Sequence, residues 1–195
     1  MDAESLGLFP LHTVLVPGGV LGLRVFEPRY LDLVRDCGRE GSGFGVCLIL
    51  EGEEAGSAAT PAAFGTEAVI EDFDTDAAGL LTLRVRGHRR FRVHRTRVRD
   101  NGLVVAEVEW RAPDPEDELR PEHGLLALLL QRILEQAGGE HADAPPARFD
   151  DPAWISWRLT ELLPLADLQR QALLQEDDPH ARLQQLLGWV SDELK

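Results

Sequence analysis

The first half of the chain is predicted to be mainly β-structure, because short apolar runs alternate with turn signals. The run Phe44–Leu50 is apolar throughout, which is typical of a strand buried on both faces. Asn101-Gly102 between two such runs is a strong hairpin signal. The predicted strands are the run that Pro17-Gly18-Gly19 closes, followed by Val20–Phe26, Phe44–Leu50, Phe64–Phe73, Leu80–Gly87, Arg89–Asp100 and Leu103–Trp110.

The second half is predicted to be helical. A proline- and acid-rich connector, RAPDPEDELRPEHG, separates the halves, and apolar residues then recur at helical spacing. Asp178 before Pro179 suits a helix start. The predicted helices are approximately Pro121–Gln136, Pro152–Leu163, Ala166–Gln175 and Pro179–Leu194. We therefore expect an α+β protein with a β-rich domain at 1–112 and a helical bundle at 113–195.

The segment Glu27, Pro28, Arg29 and Tyr30 has two interpretations. A carboxylate, a guanidinium and a phenol side by side suggest acid–base chemistry. The alternative is that a strand becomes a helix here, since proline suits the first helical turn and Gly38 is a reasonable helix end. We favour the structural interpretation, in which Glu27 and Arg29 tie the strand end to the helix start.

The lysine content excludes several kinds of enzyme. The only lysine is the last residue, Lys195. A P-loop needs an internal lysine to reach nucleotide phosphates, and a Schiff base or a pyridoxal phosphate anchor needs an ordered one. Six scattered histidines and two cysteines show no zinc-ligand spacing. We accordingly predict no catalytic residue, no metal and no cofactor.

The remaining composition predicts a cytoplasmic protein with free, buried thiols at Cys37 and Cys47. No apolar run approaches the ~20 residues that cross a bilayer, and the acidic N-terminus is unlike a secretory signal. In a reducing compartment, cysteines are normally unpaired. Asp72, Asp74 and Asp76 have the spacing of a calcium loop, but the later positions of that motif fail, so a polar turn is expected.

Eight arginines lie between Arg84 and Arg99. Strict alternation along a strand pair would bury Val85, Phe91 and Val93. It would place four arginines on an exposed face: Arg84, Arg86, Arg90 and Arg92. That face either binds nucleic acid or neutralises the acidic helices. The net charge of −14 favours neutralisation, because phosphate binding needs uncompensated cations.

Several segments resemble the N-terminal substrate-binding domain of Lon proteases. They are LFPLHTVLVPGGVLGLRVFEPRYLDLV, FGVCLIL, GTEAVI, GHRRFRV, WRLTELLPL and QRQALLQEDDPHARLQQLLGWV. The resemblance implies a PUA-like β pseudo-barrel with one helix, followed by a helical bundle, and a role in engaging polypeptides. One departure is Leu21-Gly22-Leu23, where the family often has Leu-Pro-Leu. The chain stops where the ATPase and protease modules would begin, so a free-standing domain is expected.

The resemblance leads us to predict a non-enzymatic module that binds exposed apolar polypeptide segments, as an adaptor or partner of a Lon-type protease. Strand edges and a shallow apolar groove would hold an extended peptide. The predicted contacts are Val20, Leu21 and Leu23, although a core strand explains these residues almost as well. The alternative is an RNA-binding protein that uses the arginines of 84–99. Homodimer formation is left open, and no membrane partner is expected.

Overall fold

The computed structural model describes residues 4–56 and 59–193, and the chain divides into two compact units, Met1–Ala112 and Pro113–Lys195. Within the described residues, the first unit contains six strands and one α-helix. These elements are β1 (Glu4–Leu11), β2 (Val20–Val25), α1 (Pro28–Glu40), β3 (Phe44–Glu51), β4 (Thr60–Thr75), β5 (Leu81–Val98) and β6 (Val104–Trp110). Together with the helices of the second unit, they confirm the predicted α+β class.

The six strands form one mixed sheet in the order β2-β5-β4-β3-β1-β6. Strand β5 also pairs with β6, which closes the sheet into a barrel. Only β1 and β3 run parallel among the described pairs. The prediction of two separate strands at Leu80–Gly87 and Arg89–Asp100 was wrong, because β5 continues through both. Gly87 does not end the strand; its backbone pairs with Gly18 and Gly19 at 2.8 Å.

Helix α1 covers one face of the sheet. Tyr30, Leu33 and Cys37 recur at helical spacing and are buried against the sheet. The ring of Tyr30 stacks on Phe9 with centroids 4.1 Å apart. The helix ends at Gly41, whose φ of 64° is left-handed, rather than at Gly38 as predicted. Both glycines are permitted at a helix end, and only the three-dimensional path of the chain selects between them.

The second unit packs its helices around a leucine-rich core. The α-helices are α2 (Gly124–Ala137), α3 (Pro152–Leu162), α4 (Asp167–Gln175) and α5 (Pro179–Glu193), with 3-10 turns at Pro121–His123 and Pro146–Asp150. The buried core residues are Leu126, Leu130, Leu134, Ile155, Leu159, Leu173, Leu183 and Leu186. Asp178 accepts a hydrogen bond from the backbone amide of His180 at 2.8 Å, as expected of the residue before α5.

Candidate functional site

The contacts of Glu27, Pro28, Arg29 and Tyr30 are structural. Arg29 is 5% exposed, and its Nε forms an ion pair with Glu27 Oε2 at 3.0 Å. Its Nη1 donates to the carbonyl oxygen of Gly102, 3.2 Å away in the β5–β6 turn. The segment therefore connects the end of β2, the start of α1 and a distant hairpin. Burial raises the pKa of Tyr30, so its phenol stays protonated at neutral pH.

We expect Arg29→Met to lower the free energy of unfolding by about 2 kcal/mol, because it leaves the Glu27 carboxylate and the Gly102 carbonyl without their partner. Arg39→Met on the same helix removes an exposed arginine and should change stability by less than about 0.5 kcal/mol. Thermal unfolding of both variants tests this. Equal melting temperatures with lost polypeptide binding only in Arg29→Met would instead assign Arg29 to the binding site.

An open groove lies between α1 and the β4–β5 hairpin. It has a volume of about 680 Å³, within the size range of ligand sites. Its lining is mainly apolar: Leu31, Val34, Cys37, Val69, Ile70, Phe73, Leu81 and Leu83. Phe73 is 73% exposed and Val69 is 39% exposed. Large apolar side chains left in water beside a concave surface are typical of a binding site.

The groove exists because β4 continues beyond one of its two neighbours. Pairing between β3 and β4 ends at Phe44 and Ala68, whereas pairing between β4 and β5 continues to Thr75 and Leu81. Among the described strands, residues 69–75 of β4 therefore pair on one side only. A register shift between Ile70 and Asp72 lies within this part of β4. The unpaired edge borders the groove that Phe73 lines.

The predicted peptide contacts lie on β2, outside the groove lining. Val20 and Leu21 are half-buried and pair with Arg86 and Val85 of β5. Leu23 is 8% exposed and belongs to the core below α1. Sequence reasoning missed the groove itself. The signal that pointed to it was Phe73, a large apolar residue in a segment that otherwise becomes acidic.

The arginines of β5 are largely compensated by carboxylates of the neighbouring strands. Arg84 lies 3.2 Å from Glu71, and Arg86 pairs with the same carboxylate. Arg89 and Arg95 lie 2.9 Å from Glu67 and Glu107, respectively. Hydrogen bonds from Arg86 and then Arg84 lower the pKa of Glu71, so this carboxylate stays ionised opposite them. These partners lie on β4 and β6 rather than on helices, whereas Arg99 lies 3.7 Å from Asp36 of α1, as the expected neutralisation by acidic helices requires.

The predicted exposed arginine face is also incomplete. Arg90 is only 5% exposed, so the prediction that it lines an exposed face was wrong. The pairing of β4 with β5 shifts between Thr66 and Ala68, and this shift interrupts strict alternation near Arg90. Val85 and Phe91 are fully buried, as alternation predicts, whereas Val93 is half-buried. Arg92 is exposed, with its guanidinium 5.9 Å from the centre of the Phe64 ring.

Among the described residues, the candidate metal ligands and the two cysteines have structural surroundings. They contain no group of three histidine, cysteine, aspartate or glutamate side chains placed to hold a metal. Both cysteines are free and buried, and burial raises the pKa of Cys47 to about 12, so that thiol stays protonated. Asp76 accepts hydrogen bonds from the amides of Ala78 and Leu80, as expected of a polar turn.

In the part of the chain that the structure describes, every helix is too short or too polar to cross a bilayer.

The sequence is similar to a known protein family and to a curated protein. Residues 5–192 match the family described as the ATP-dependent protease La (LON) substrate-binding domain. Among curated proteins, protein cereblon of Danio rerio is 31% identical over 122 residues, which are 58% of this chain. The matched part amounts to 28% of cereblon, so the chain spans well under half of that relative's length.

Two solved structures share the fold over nearly the whole chain. The Lon N-terminal domain protein from Xanthomonas campestris is 62% identical with a TM-score of 0.82, and the match covers 95% of this chain and 98% of that one. The N-terminal domain of the Mycobacterium avium complex Lon protease is 20% identical with a TM-score of 0.69, covering 97% and 99%. At that lower identity, the likeness concerns the fold alone.

Proposed function

This chain belongs to the LON substrate-binding domain family, and on that premise we propose that it binds apolar segments of polypeptides in the groove beside α1. The observation that carries this proposal is the exposure of Phe73, 73%, at the rim of an open apolar groove. A buried aromatic or aliphatic side chain contributes about 1.5–3 kcal/mol relative to water. Two such side chains from a polypeptide, packed on Phe73 and Ile70, would contribute about 3–6 kcal/mol toward binding before association costs.

The lining of the groove supports binding without chemistry. Its lining includes the Cys37 thiol, the Ser42 hydroxyl and the carboxylates of Glu71 and Asp72, but no histidine. Cys37 Sγ donates to the carbonyl oxygen of Gly43 at 3.4 Å, and burial raises the pKa of this thiol. A thiol that stays protonated is a poor nucleophile. We therefore propose a non-enzymatic module.

Phe73→Ser tests the site directly. The variant should bind a fluorescently labelled, permanently unfolded polypeptide about 10-fold more weakly, because the rim loses most of its apolar surface. Stability should be nearly unchanged, since the side chain is largely exposed. The matched control is Leu168→Ser, which removes an apolar side chain of similar exposure, 69%, from α4. Fluorescence anisotropy supplies the affinities, with single-stranded RNA as competitor. Equal affinities for Phe73→Ser and wild type would place binding elsewhere.

The finer part of the proposal is an adaptor role toward a Lon-type protease. Support comes from the family's description as a substrate-binding domain of that protease. The wild-type chain, added to a Lon protease from the same organism, should accelerate degradation of the unfolded polypeptide, whereas Phe73→Ser should not. A rate equal to that of Lon alone would exclude the adaptor role and leave polypeptide binding untouched.

A further inference from the structure

The free edge of β4, residues 69–75, runs along the apolar groove. We infer that the polypeptide adds to this edge as an extra β-strand, and that Asp72 and Asp74 favour segments that carry basic residues. This inference rests on the proposed function and specifies how the groove is filled. The occupant is an extended segment in which large apolar residues alternate with basic ones.

The backbone of this edge is available for pairing. The amides of Phe73 and Thr75 donate to the Oδ1 atoms of Asp72 and Asp74 at 2.9 and 2.7 Å. In an antiparallel strand, successive residues direct their backbone polar groups to opposite sides. The Thr82 hydroxyl donates to the carbonyl oxygen of Asp74 at 3.2 Å, which places residue 74 on the β5 side. Residues 73 and 75 accordingly face the free edge.

Asp72 and Asp74 cap the edge amides in a way that an added strand can replace. Each carboxylate accepts the hydrogen bond of one backbone amide, that of Phe73 or Thr75, which a carbonyl oxygen of an added strand could accept instead. Charged side chains of this kind also protect an edge from uncontrolled pairing, a common device in natural sheets. An incoming strand releases the caps by supplying its own acceptors at the 4.7–4.9 Å spacing of neighbouring strands.

Side-chain alternation explains why the occupant must be amphipathic. Phe73 lines the groove on the face that α1 partly covers. A strand added beside it directs every second side chain to that same face, and these side chains must be apolar to bury against Phe73 and Ile70. The other side chains point to the opposite face of the sheet and stay in water.

The charge of the edge explains the preference for basic residues. Asp72 and Asp74 are exposed, whereas Glu71 beside them is compensated by Arg84 and Arg86. Once their caps are released, the two carboxylates are free to pair with the occupant's cations. The chain's net charge of −14 adds a general preference of the same sign.

Backbone methylation separates strand addition from simple apolar binding. The probe is a labelled peptide that spans the edge and alternates leucine with arginine. Two further peptides carry N-methyl groups, one on all leucines and the other on all arginines. One methylated peptide should bind about 10-fold more weakly than the other, because only alternate amides face β4. Equal affinities of the two methylated peptides would overturn strand addition. Failure of the unmethylated peptide and of the unfolded polypeptide would instead overturn the proposed function.

The preference for basic residues is tested separately. Asp72→Asn/Asp74→Asn keeps an oxygen acceptor at each cap but removes both charges. Wild type should prefer the leucine–arginine peptide over a leucine–glutamine peptide by about 10-fold at low salt, and the double variant should lose most of that preference. The control Glu122→Gln/Asp143→Asn removes two exposed charges elsewhere and should retain it. Equal loss of this preference in both double variants would show that the net charge of the chain, and not this edge, determines which peptide is preferred.

A second copy of the chain is the competing occupant of the edge. Sedimentation velocity on the same samples distinguishes it. A dimer that Phe73→Ser dissociates, in samples that bind no peptide, would assign the edge to self-association and overturn the inference.

Discussion

Arg182→Met should lower the free energy of unfolding of the helical unit by about 3–5 kcal/mol, because it leaves a largely buried carboxylate without its cation. The Arg182 side chain is fully buried. Its Nη1 donates to Asp114 Oδ1 at 3.0 Å and to the carbonyl oxygen of Glu176 at 2.9 Å, and its Nε donates to Ser156 Oγ at 3.0 Å. One guanidinium thus connects the first residues of the unit with α3 and the end of α4.

Trp157 belongs to the same group of contacts, so its fluorescence can report the loss of stability. Its Nε1 donates to Asp114 Oδ2 at 2.6 Å, and the Arg182 guanidinium lies 3.8 Å from its ring centre. Three of the four tryptophans lie in this unit, so urea unfolding followed by tryptophan fluorescence reports mainly on it. Arg132→Met on α2 is the matched control, since Arg132 is exposed. Adding Asp114→Asn to Arg182→Met should restore part of the stability. If Arg182→Met and Arg132→Met unfolded at the same urea concentration, the contacts of Arg182 would contribute nothing to the stability of the unit.

The local pattern of apolar and polar residues was sufficient to predict which elements are strands and which are helices, and their order along the chain. Periods of two and of 3.6 residues separate strands from helices, and proline or asparagine–glycine marks their ends. The errors concern choices between equivalent local signals. Gly38 and Gly41 both permit a helix end, and Gly87 resembles a turn although β5 runs through it. In each case the path of the chain in three dimensions decides, and no local residue reports it.

The candidate site was less accessible to sequence reasoning. The groove forms where β4 extends beyond the end of its pairing with β3. That end, at Ala68 of β4, depends on tertiary pairing. The predicted residues Val20 and Leu21 have the same apolar character as Phe73. The difference between them is burial, which follows from the position of each strand relative to α1.

The charge pairs show the same dependence on register. Glu71 and Glu107 are distant in sequence from Arg84 and Arg95 and meet them because their strands are adjacent. Composition alone supports neutralisation of the arginines but does not identify the partners. The consequence for function is concrete: the arginines of β5 are largely compensated, whereas Asp72 and Asp74 at the groove accept hydrogen bonds from neighbouring backbone amides and have no cation partner among the described residues.

Gly65→Ala should destabilise the β-rich unit by about 3 kcal/mol, because an added Cβ meets fixed backbone. It would lie 2.5 Å from the carbonyl oxygen of Val46 and 2.6 Å from Phe91 Cζ. The Phe91 ring is fully buried, and its tip lies over glycines of two adjacent strands, Gly45 and Gly65. Neither glycine is required for its φ angle, since neither is among the positive-φ positions. Their role is to make room for the ring.

Gly45→Ala provides the matched contrast. The three atoms nearest to its added Cβ all belong to side chains: Leu8 Cδ2 at 2.6 Å, Phe91 Cζ at 2.8 Å and Leu6 Cδ2 at 3.0 Å. Phe91→Leu removes the second of these atoms and should therefore recover about 1 kcal/mol of the loss in Gly45→Ala, measured as a coupling energy by urea unfolding. The same substitution should recover less in Gly65→Ala, since the Val46 carbonyl oxygen remains. Equal coupling of Phe91→Leu with both alanines would show that the ring, rather than the backbone of β3, sets the requirement for glycine at position 65.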